Sequence, residues 1–342
     1  MTANKATAVD ASLPDVAATH VSAQFKHNSP IIACRFSPDG KAVFFGAEDH
    51  KVWRWEIGAE NAVAFAGHNS WVRAIGCSAD GQTLITGGYD GQLIWWSANA
   101  QKPEPLREVA AHHGWIRALA ISPDGEFVAT AGNDKMARIW RLDNGSLVQE
   151  LRGHESHVYN AAFHPQGTAF VTGDLKANLI EWDLATGKQM RQMTVKTFSQ
   201  YDKVFRAIIG GFRGLQFSAD GNRLAGCGMI NVSNAFAGVG NPAVVEIDWE
   251  SGKQVIEHHS KAKLKGVAWG VALHPAELTI AVNGGGAGGY LLFWRPDEEE
   301  EQHSFKLPNT GRDLDLSSDG LHLVTAHFDR HVRISRMAAK NV

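Results

Sequence analysis

Short stretches in which hydrophobic and polar residues alternate recur along the whole chain, separated by turn residues. The clearest unit runs from His112 to Trp140 and contains, in order, the strand-like run Ile116–Ile121, the turn Ser122–Gly125, a second run Phe127–Ala131 and a tight turn at Asn133 and Asp134. Alternation with a period of two, bounded by Gly, Asp and Asn, predicts strands. No stretch shows a sustained helical period. The chain is therefore predicted to be all-β.

This unit recurs at a regular interval. Its His and its Trp are 28 residues apart in four copies, which are His27/Trp55, His68/Trp96, His112/Trp140 and His154/Trp182. A turn that usually ends in Asp-Gly supplies a second ruler, with glycines at positions 40, 81, 125, 167, 221 and 320 and Glu277 in the corresponding place of one unit. The ruler predicts seven units, each near the ~40–45 residues of a four-stranded propeller blade.

These features resemble the WD-repeat β-propellers, and the resemblance covers residues 18–336. The Trp-Asp dipeptide is literal only at Trp182-Asp183, whereas other units keep the Trp alone or replace it, as at Ile247 and Ser335. The resemblance implies seven four-stranded antiparallel blades. We expect residues 1–15 to form a disordered tail, residues 16–336 the propeller and residues 337–342 a C-terminal tail.

In this family a hydrogen-bonded set of His, Ser or Thr, Asp and Trp ties each blade together. By resemblance, units two and three carry complete sets, which are His68, Thr86, Asp90, Trp96 and His112, Thr130, Asp134, Trp140. Unit one has Phe45 in the place of the hydroxyl, and unit four has Lys176 in the place of the Asp. A His, a hydroxyl and an acid could also suggest a hydrolase. Copies in several units instead predict a structural role, because a catalytic triad acts around a single nucleophile.

The resemblance also predicts how the ring closes. The run Thr19–Phe25 precedes the first His and alternates polar with apolar residues. By resemblance it is the outer strand of the seventh blade and pairs with Val332–Ser335. Such pairing protects strand edges, which otherwise promote aggregation.

The composition narrows the classes of partner. The 342 residues are 44% hydrophobic and 20% charged, with a formal net charge of −3, so we expect no nucleic-acid partner, which would require a basic surface. No apolar run approaches the ~20 residues of a membrane span, and Met1–Thr19 lacks a secretory signal's apolar region, which predicts no membrane partner and a cytoplasmic location. Cys34, Cys77 and Cys227 lack metal-ligand spacing and are predicted to be buried thiols, and we expect no metal and no cofactor.

Two insertions break the regular spacing of the units. About a dozen residues are added near 196–212, and a second addition falls at about 228–242, between the second and third strands of its unit. Both are predicted to emerge as loops on the same face, called the top in this family. Long loops on a rigid scaffold often carry binding functions.

One repeat position points to a candidate partner-binding site. By resemblance, the residue eight places before each turn residue lies at the top mouth of the central channel. These residues are Ile32, Arg73, Arg117, Tyr159, Arg213, Trp269 and Arg312, and Trp71 and Trp115 stand two places before two of the arginines. Guanidinium groups bind carboxylates and phosphates, and Arg, Tyr and Trp dominate interface hot spots. The alternative is internal pairing, for example of Arg312 with Asp313 or Asp315.

Two functions remain open from the sequence. The preferred one is a non-catalytic protein-interaction scaffold, not an enzyme, that binds an acidic or phosphorylated segment of a protein or peptide at the mouth. The alternative is a propeller enzyme that acts on an acidic small molecule there, with Arg213 or Arg312 orienting the substrate. The sequence shows no convergent carboxylate pair, activated nucleophile or metal-ligand spacing for such an enzyme.

Overall fold

Seven four-stranded antiparallel sheets follow one another along the chain, which confirms the prediction of an all-β, seven-bladed propeller. The computed structural model describes residues 13–167, 169–204, 206–234 and 239–340. Each blade is numbered from its innermost strand outward. Blades one to four comprise, in order, β2 (Ile31–Phe36), β3 (Ala42–Ala47), β4 (Lys51–Glu56), β5 (Val63–Ala66); β6 (Val72–Cys77), β7 (Thr83–Gly88), β8 (Gln92–Ser97), β9 (Pro105–Ala110); β10 (Ile116–Ile121), β11 (Phe127–Gly132), β12 (Met136–Arg141), β13 (Leu147–Arg152); and β14 (Val158–Phe163), β15 (Phe170–Asp174), β16 (Asn178–Trp182), β17 (Gln189–Thr194).

The remaining strands complete three blades and one extra hairpin. They are the hairpin β18 (Ser199–Asp202) and β19 (Ala207–Gly210); blade five, β20 (Gly214–Phe217), β21 (Arg223–Asn234), β22 (Val239–Asp248), β23 (Lys253–His259); blade six, β24 (Val267–His274), β25 (Leu278–Gly284), β26 (Gly289–Trp294), β27 (His303–Leu307); and blade seven, β28 (Gly311–Leu316), β29 (His322–His327), β30 (His331–Arg336), β1 (His20–Lys26). Two short 3-10 turns, Val16–Ala18 and Lys196–Phe198, are the only helical segments in the described ranges. None of the helical segments described is long and apolar enough to cross a membrane.

The core lies between neighbouring blades, because the second and third strands of each blade are buried on both faces. Val128, Ala129 and Ala131 of β11 are fully buried, for example, whereas the outer strand β13 is mostly exposed and buries only Leu151. Blades approach so closely that a Cβ added at Gly87 would lie 2.7 Å from Ile116 of the next blade. A residue without a side chain is therefore required at this position of blade two.

The ring closes between the first and last strands of the propeller. β1 pairs antiparallel with β30, and the register places Phe25 opposite Val332 and Val21 opposite Ser335. This pairing agrees with the closure predicted from the sequence. Inside the ring, two carboxylates of β28 reach the first blade: Asp313 accepts the backbone N–H of Cys34 at 3.0 Å, and Asp315 that of Phe36 at 2.8 Å.

The predicted sets of blades two and three form continuous hydrogen-bonded chains. In blade three, His112 Nδ1 lies 2.8 Å from Asp134 and His112 Nε2 lies 2.8 Å from Thr130 Oγ1. The indole of Trp140 donates to the same hydroxyl at 2.9 Å. Blade two repeats this arrangement with His68, Thr86, Asp90 and Trp96. The hydroxyls of Thr86 and Thr130 have no access to a substrate, because both residues are fully buried.

Blade four shows that one detail of the sequence interpretation was wrong. Its acid is Asp174, not the position occupied by Lys176: His154 Nδ1 lies 3.1 Å from Asp174, and His154 Nε2 lies 2.7 Å from Thr172. Asp174 corresponds to Gly88 of blade two, where an added Cβ would lie 2.3 Å from Asp90 Oδ1. The acid of the set can therefore stand at the position of Asp174 or at that of Lys176. A side chain at the first of these positions conflicts with an Asp at the second, which is why blade two has Gly88 before Asp90.

Blade one departs from this pattern in the way that Phe45 predicted. Without a hydroxyl, the ring of His27 packs edge-on against Phe45, with 5.5 Å between the centroids. His27 Nε2 pairs with Asp49 at 3.0 Å, and the indole of Trp53 donates to the same carboxylate at 3.1 Å. The polar groups are thus satisfied by a different set of partners.

The sequence analysis predicted that the two insertions form simple loops. The structure shows instead that both contain strands. The first forms the turn Lys196–Phe198 and the hairpin β18–β19. The second lengthens β21 and β22, which continue to pair beyond the height of the blade, with Ile230 opposite Asn241. The first insertion joins the outer strand β17 to the innermost strand β20, and the second joins the second and third strands of blade five. Connections of both kinds end on the mouth side in the other blades, so both insertions lie on that side.

The predicted boundaries stay predictions. Residues 1–12 of the predicted N-terminal tail, and residues 341–342 of the predicted C-terminal tail, lie outside the described residues. Asp15 donates its backbone N–H to the carbonyl of Met337 at 2.9 Å, and Met337 is fully buried. Packing therefore extends to both of these residues.

Candidate functional site

The mouth side chains owe their direction to β-bulges at the start of the innermost strands. In β10, Ile116 pairs with Gly132 and Ala118 with Ala131, so Arg117 has no partner of its own in the ladder. Such a bulge re-aims the side chain of the extra residue. The same irregularity occurs at Ile32, Arg73, Tyr159, Trp269 and Arg312. Arg213 differs, because it directly precedes β20.

These residues surround one concave cup of about 270 Å³ at the top of the channel. The cup is lined by Ile32, Trp71, Arg73, Tyr89, Arg117, Tyr159, Phe212, Arg213, Trp269 and Arg312. The structure thus brings together every residue proposed for the site except Trp115, which stands behind Tyr89. Tyr89 and Phe212 were missed. Tyr89 could have been found, because it lies in the turn between the second and third strands, on the mouth side.

Internal pairing neutralises one of the four arginines. Arg312 forms an ion pair with Glu48, with 2.7 Å between Nη1 and Oε1. The partners suggested by the sequence are engaged elsewhere: Asp313 pairs with Arg35 at 2.8 Å, and Asp315 accepts a backbone N–H. The alternative of internal pairing was therefore right for Arg312 but wrong about its carboxylate.

The other three arginines keep their charge without a carboxylate. In the described ranges no Asp or Glu forms an ion pair with Arg73, Arg117 or Arg213. Arg73 donates to the carbonyl of Ile32 at 2.7 Å. Arg117 donates to Asn133 at 2.9 Å and to the hydroxyl of Tyr89 at 3.0 Å. These neutral partners hold the guanidinium groups in place and leave the positive charge uncompensated.

Aromatic rings separate the three cations. The guanidinium carbons of Arg117 and Arg213 lie 4.5 and 5.2 Å from the centre of the Tyr159 ring. Those of Arg213 and Arg73 lie 5.6 and 5.8 Å from the Trp269 ring. Each ring thus lies between two guanidinium groups, and its electron-rich face attracts both. This alternation allows three like charges to share one cup.

Arg213 has the least favourable surroundings of these cations. Its Nη1 atom is buried and has no hydrogen-bond acceptor among the described residues. Burial lowers the pKa of Arg213, and the neighbouring charges of Arg73 and Arg117 lower it further. A buried donor without an acceptor is unfavourable. An anion in the cup would supply both the acceptor and the missing charge.

A partly exposed aromatic ledge borders the cup on the side of blades two and three. Tyr89 stacks on Trp115 with the ring centres 4.4 Å apart and the planes at 3°. Trp71 lies 6.2 Å from Tyr89 on its other side. Trp71 and Trp115 are 40% and 43% exposed. The ledge therefore offers a flat apolar surface next to the cationic cup.

The described residues contain no cluster of three or more His, Cys, Asp or Glu side chains that could hold a metal ion. The cup lining also contains no Ser, Cys, His, Asp or Glu. Its polar atoms are guanidinium, indole and phenol groups, which bind and orient a ligand. The guanidinium groups can bind an anion, and the phenols of Tyr89 and Tyr159 can donate hydrogen bonds to it.

Comparisons with known proteins agree with the repeat structure. The family model described as WD domain, G-beta repeat matches residues 20–56, 60–97, 103–141 and 145–183. The chain is also similar to transcription initiation factor TFIID subunit 5 of Caenorhabditis elegans, with 28% identity over 160 residues. That match covers 46% of this chain and 24% of the relative, so the chain spans about a quarter of the relative's length.

Proposed function

Because this chain belongs to the WD-repeat family of β-propellers, we propose that it is a non-catalytic protein-interaction scaffold whose top cup binds an acidic or phosphorylated segment of a partner. The family and the relative support a role in protein interaction. The single observation that carries the finer proposal is the set of three arginines without carboxylate partners, of which Arg213 has a buried, unpartnered nitrogen.

The chemistry of the cup supports an anionic segment with a flat or apolar neighbour. A carboxylate or phosphate accepts two parallel N–H bonds from one guanidinium group, and such charged bonds are stronger than neutral ones. The aromatic ledge next to Arg117 can take a ring or a proline from the same segment. The enzyme alternative has less support, because the lining holds the phenols of Tyr89 and Tyr159 but no Ser, Cys, His, Asp or Glu to act as nucleophile or base.

The decisive experiment compares binding with stability in variants of Arg213. A fluorescent phosphoserine peptide and its glutamate counterpart serve as probes, and their Kd is measured by fluorescence anisotropy. We expect Arg213→Ala to weaken binding about 10- to 100-fold, which corresponds to the loss of about 1.5–3 kcal/mol for a charged hydrogen bond. Arg213→Lys should lose nearly as much, because an ammonium group cannot form the bidentate pair.

The same variants distinguish a binding residue from a structural one. Removing a buried, unpartnered cation should stabilise the free protein, so Arg213→Met should raise its Tm while it weakens binding. Arg152→Ala is the matched control, because this arginine is on the outer strand β13 and its side chain is 65% exposed. If Arg213→Met lowers the Tm and leaves probe binding unchanged, Arg213 is structural and the proposed site is wrong.

The cellular location is tested separately. We expect a cytoplasmic protein, whereas the relative's name describes a transcription initiation factor. Imaging a fluorescently tagged full-length chain in its native cell decides between the cytoplasm and another compartment.

A further inference from the structure

The cup continues downward into the central channel. The upper part of this channel is a second cavity of about 360 Å³, lined mainly by the innermost strands of the blades. Some residues line both cavities and therefore stand at the junction between them, which we call the neck. These residues are Arg73, Arg117, Arg213 and Trp269. The neck thus holds the three arginines that form no ion pair with any carboxylate of the described residues, so the anchor for an anion lies at the floor of the cup and not at its rim.

The walls above the neck carry no uncompensated charge. The residues that line the cup but not the channel are Ile32, Trp71, Tyr89, Tyr159, Phe212 and Arg312, and we call them the collar. All of them are apolar or aromatic except Arg312, whose charge is neutralised by Glu48 at 2.7 Å. An anion that enters the cup from above must therefore pass a collar of rings before it meets the arginines of the neck.

Packing holds the collar and the neck in place. Phe212 is fully buried and packs edge-on against Phe198 of the first insertion, with 5.6 Å between the ring centres. Trp269 of the neck packs against a buried cluster that includes Met229 and Val232 of the second insertion. The shape of the cup is therefore formed before a ligand arrives, and a rigid site loses little conformational entropy on binding.

Positive charge exceeds negative charge around the neck. Asp313 lines the channel and pairs with Arg35 at 2.8 Å. Within the described residues, no other Asp or Glu lines the cup or the channel. Asp315 of the same strand does not line either cavity, and burial raises its pKa. Since Arg35 and Arg312 have their own carboxylates, three positive charges remain at the neck, and they favour an anionic ligand over a cationic one.

The free surface of the collar is aromatic. Ile32 is 5% exposed and Phe212 is fully buried, so neither has much surface left to cover. Trp71 is 40% exposed, and Tyr89 and Tyr159 are half-buried. A flat ring inserted between these side chains would bury apolar area and gain aromatic contacts. The volume of the cup, about 270 Å³, is just below the ~300 Å³ at which small-molecule pockets begin, so the cup suits one side chain.

We propose that the anion anchored in the cup is carried on an aromatic ring, so that the ligand is an aryl phosphate or aryl carboxylate and, in a protein partner, a phosphotyrosine. The inference rests on the proposed function, because the same arginines bind the anion. In phosphotyrosine a benzene ring separates the phosphate from the peptide chain. This ring lies in the collar while the phosphate reaches the neck, where the buried Nη1 atom of Arg213 lacks an acceptor among the described residues.

A shorter side chain fits this arrangement less well. In phosphoserine only a methylene group and an oxygen separate the phosphate from the backbone. Its phosphate can reach the neck only if the peptide backbone enters the collar, where the polar N–H and C=O groups lose water without gaining partners. The depth of the neck and the apolar collar therefore select the ring.

The test compares fluorescent peptides of one sequence whose central residue is phosphotyrosine, phosphoserine, tyrosine or glutamate. Their Kd is measured by fluorescence anisotropy. We expect the phosphotyrosine peptide to bind the wild-type protein about 10- to 100-fold more tightly than the phosphoserine peptide, as the burial of one ring would allow. The tyrosine peptide should bind far more weakly than either phosphopeptide, because it brings no anion to the neck.

A pair of variants locates the ring. Trp71 belongs to the collar and not to the neck, so Trp71→Ala should weaken binding of the phosphotyrosine peptide far more than binding of the phosphoserine peptide. Phe328→Ala is the matched control. Phe328 is 53% exposed, occupies in blade seven the repeat position of Tyr89 in blade two, and does not line the cup. This control should keep the full preference for phosphotyrosine.

Competition with phenyl phosphate distinguishes two sources of the ring. A phosphotyrosine peptide that binds more tightly than phenyl phosphate identifies a tyrosine of a partner, whereas equal affinities identify a small aryl anion, and both outcomes support a ring-borne anion. Inorganic phosphate should compete far more weakly than phenyl phosphate, because it leaves the collar empty.

Several results would overturn the inference. Equal Kd values for the phosphotyrosine and phosphoserine peptides show that the collar does not select a ring. A preference that survives Trp71→Ala, or that is lost equally in Phe328→Ala, shows that the ring is not held in the collar. In these cases the proposed function stands as long as Arg213→Ala weakens binding of the phosphopeptides. Phosphopeptide binding that does not depend on Arg213 contradicts the proposed function itself.

Discussion

Moving the acid of blade four by two residues is the sharpest test of how the blades are held together. Asp174 is fully buried and accepts from His154 at 3.1 Å, from the backbone N–H groups of Lys176 and Asn178 at 2.9 Å each, and from the side chain of Asn178 at 3.1 Å. Asp174→Gly removes these bonds and leaves the buried imidazole without its carboxylate.

The size of the effect follows from these contacts. An orphaned buried polar group costs about 1–3 kcal/mol, and a charged hydrogen bond contributes about 1.5–3 kcal/mol. Since Lys176 and Asn178 are only half-buried, water can replace the carboxylate at their backbone N–H groups, and we expect Asp174→Gly to lower the free energy of unfolding by about 3 kcal/mol. Lys176→Ala should change it by less than about 0.5 kcal/mol, because the ammonium lies 3.7 Å from the exposed Glu155.

A double substitution separates the geometric argument from a simple loss of contacts. Blade two has Gly88 and Asp90 at the positions of Asp174 and Lys176. Asp174→Gly with Lys176→Asp should therefore rebuild the arrangement of blade two and recover most of the lost stability. Lys176→Asp alone should destabilise the protein, because two carboxylates would then compete for one buried site.

The assay is chemical denaturation followed by tryptophan fluorescence, with the midpoint of the first transition compared at an unchanged slope. Blades are repeats, so several transitions can occur and only the first is compared. Equal losses for Asp174→Gly and Lys176→Ala would refute the assignment of the acid. A double variant no more stable than Asp174→Gly would refute the proposed equivalence of the two positions.

Three further predictions concern the closure of the ring and its response to pH. Burial raises the pKa of Asp315 above its usual value. The folded state therefore holds the carboxyl proton of Asp315 more tightly than the unfolded state, and stability is lost as the pH rises through the raised pKa. Asp315→Asn should keep the Tm at pH 7 or raise it, whereas Asp313→Asn should lower the Tm by removing the partner of Arg35. Burial, with the nearby charge of Arg333, lowers the pKa of His327 to about 4. The folded state therefore favours the neutral ring, and the free energy of unfolding should fall by up to about 3 kcal/mol as the pH drops from about 6.5 to 4. A Tm that is flat over this range, or that falls equally in His327→Gln, contradicts this role of His327. Deleting residues 1–26 removes β1 and exposes the edge of β30, so we expect aggregation by light scattering, whereas deleting residues 1–12 should leave the Tm unchanged; equal Tm values for both truncations would show that the closing strand is dispensable.

The extent of prediction from sequence differs between the fold and the site. The interval between His112 and Trp140 and its copies predicted the blades, because each blade repeats the same hydrogen-bonding and packing requirements at the same spacing. The position of Arg117 and its equivalents was also predictable, since one repeat position faces the same channel in every blade. The acid of blade four was misassigned, because the spacing of residues in the sequence does not show that a carboxylate can reach the same point from two backbone positions.

By itself, the sequence determined the all-β class, the seven units, the closing strand and the collection of arginines and aromatic residues at one mouth. Only the tertiary structure decided which cations remain uncompensated. Glu48 of blade one neutralises Arg312 of the neighbouring blade seven, and Asp313 pairs with Arg35 instead. The tertiary structure also decided that the insertions become strands which share a core with Trp269. The physical reason is that repeat spacing follows from contacts within one blade, whereas charge pairing and the packing of the insertions depend on contacts between residues far apart in the chain.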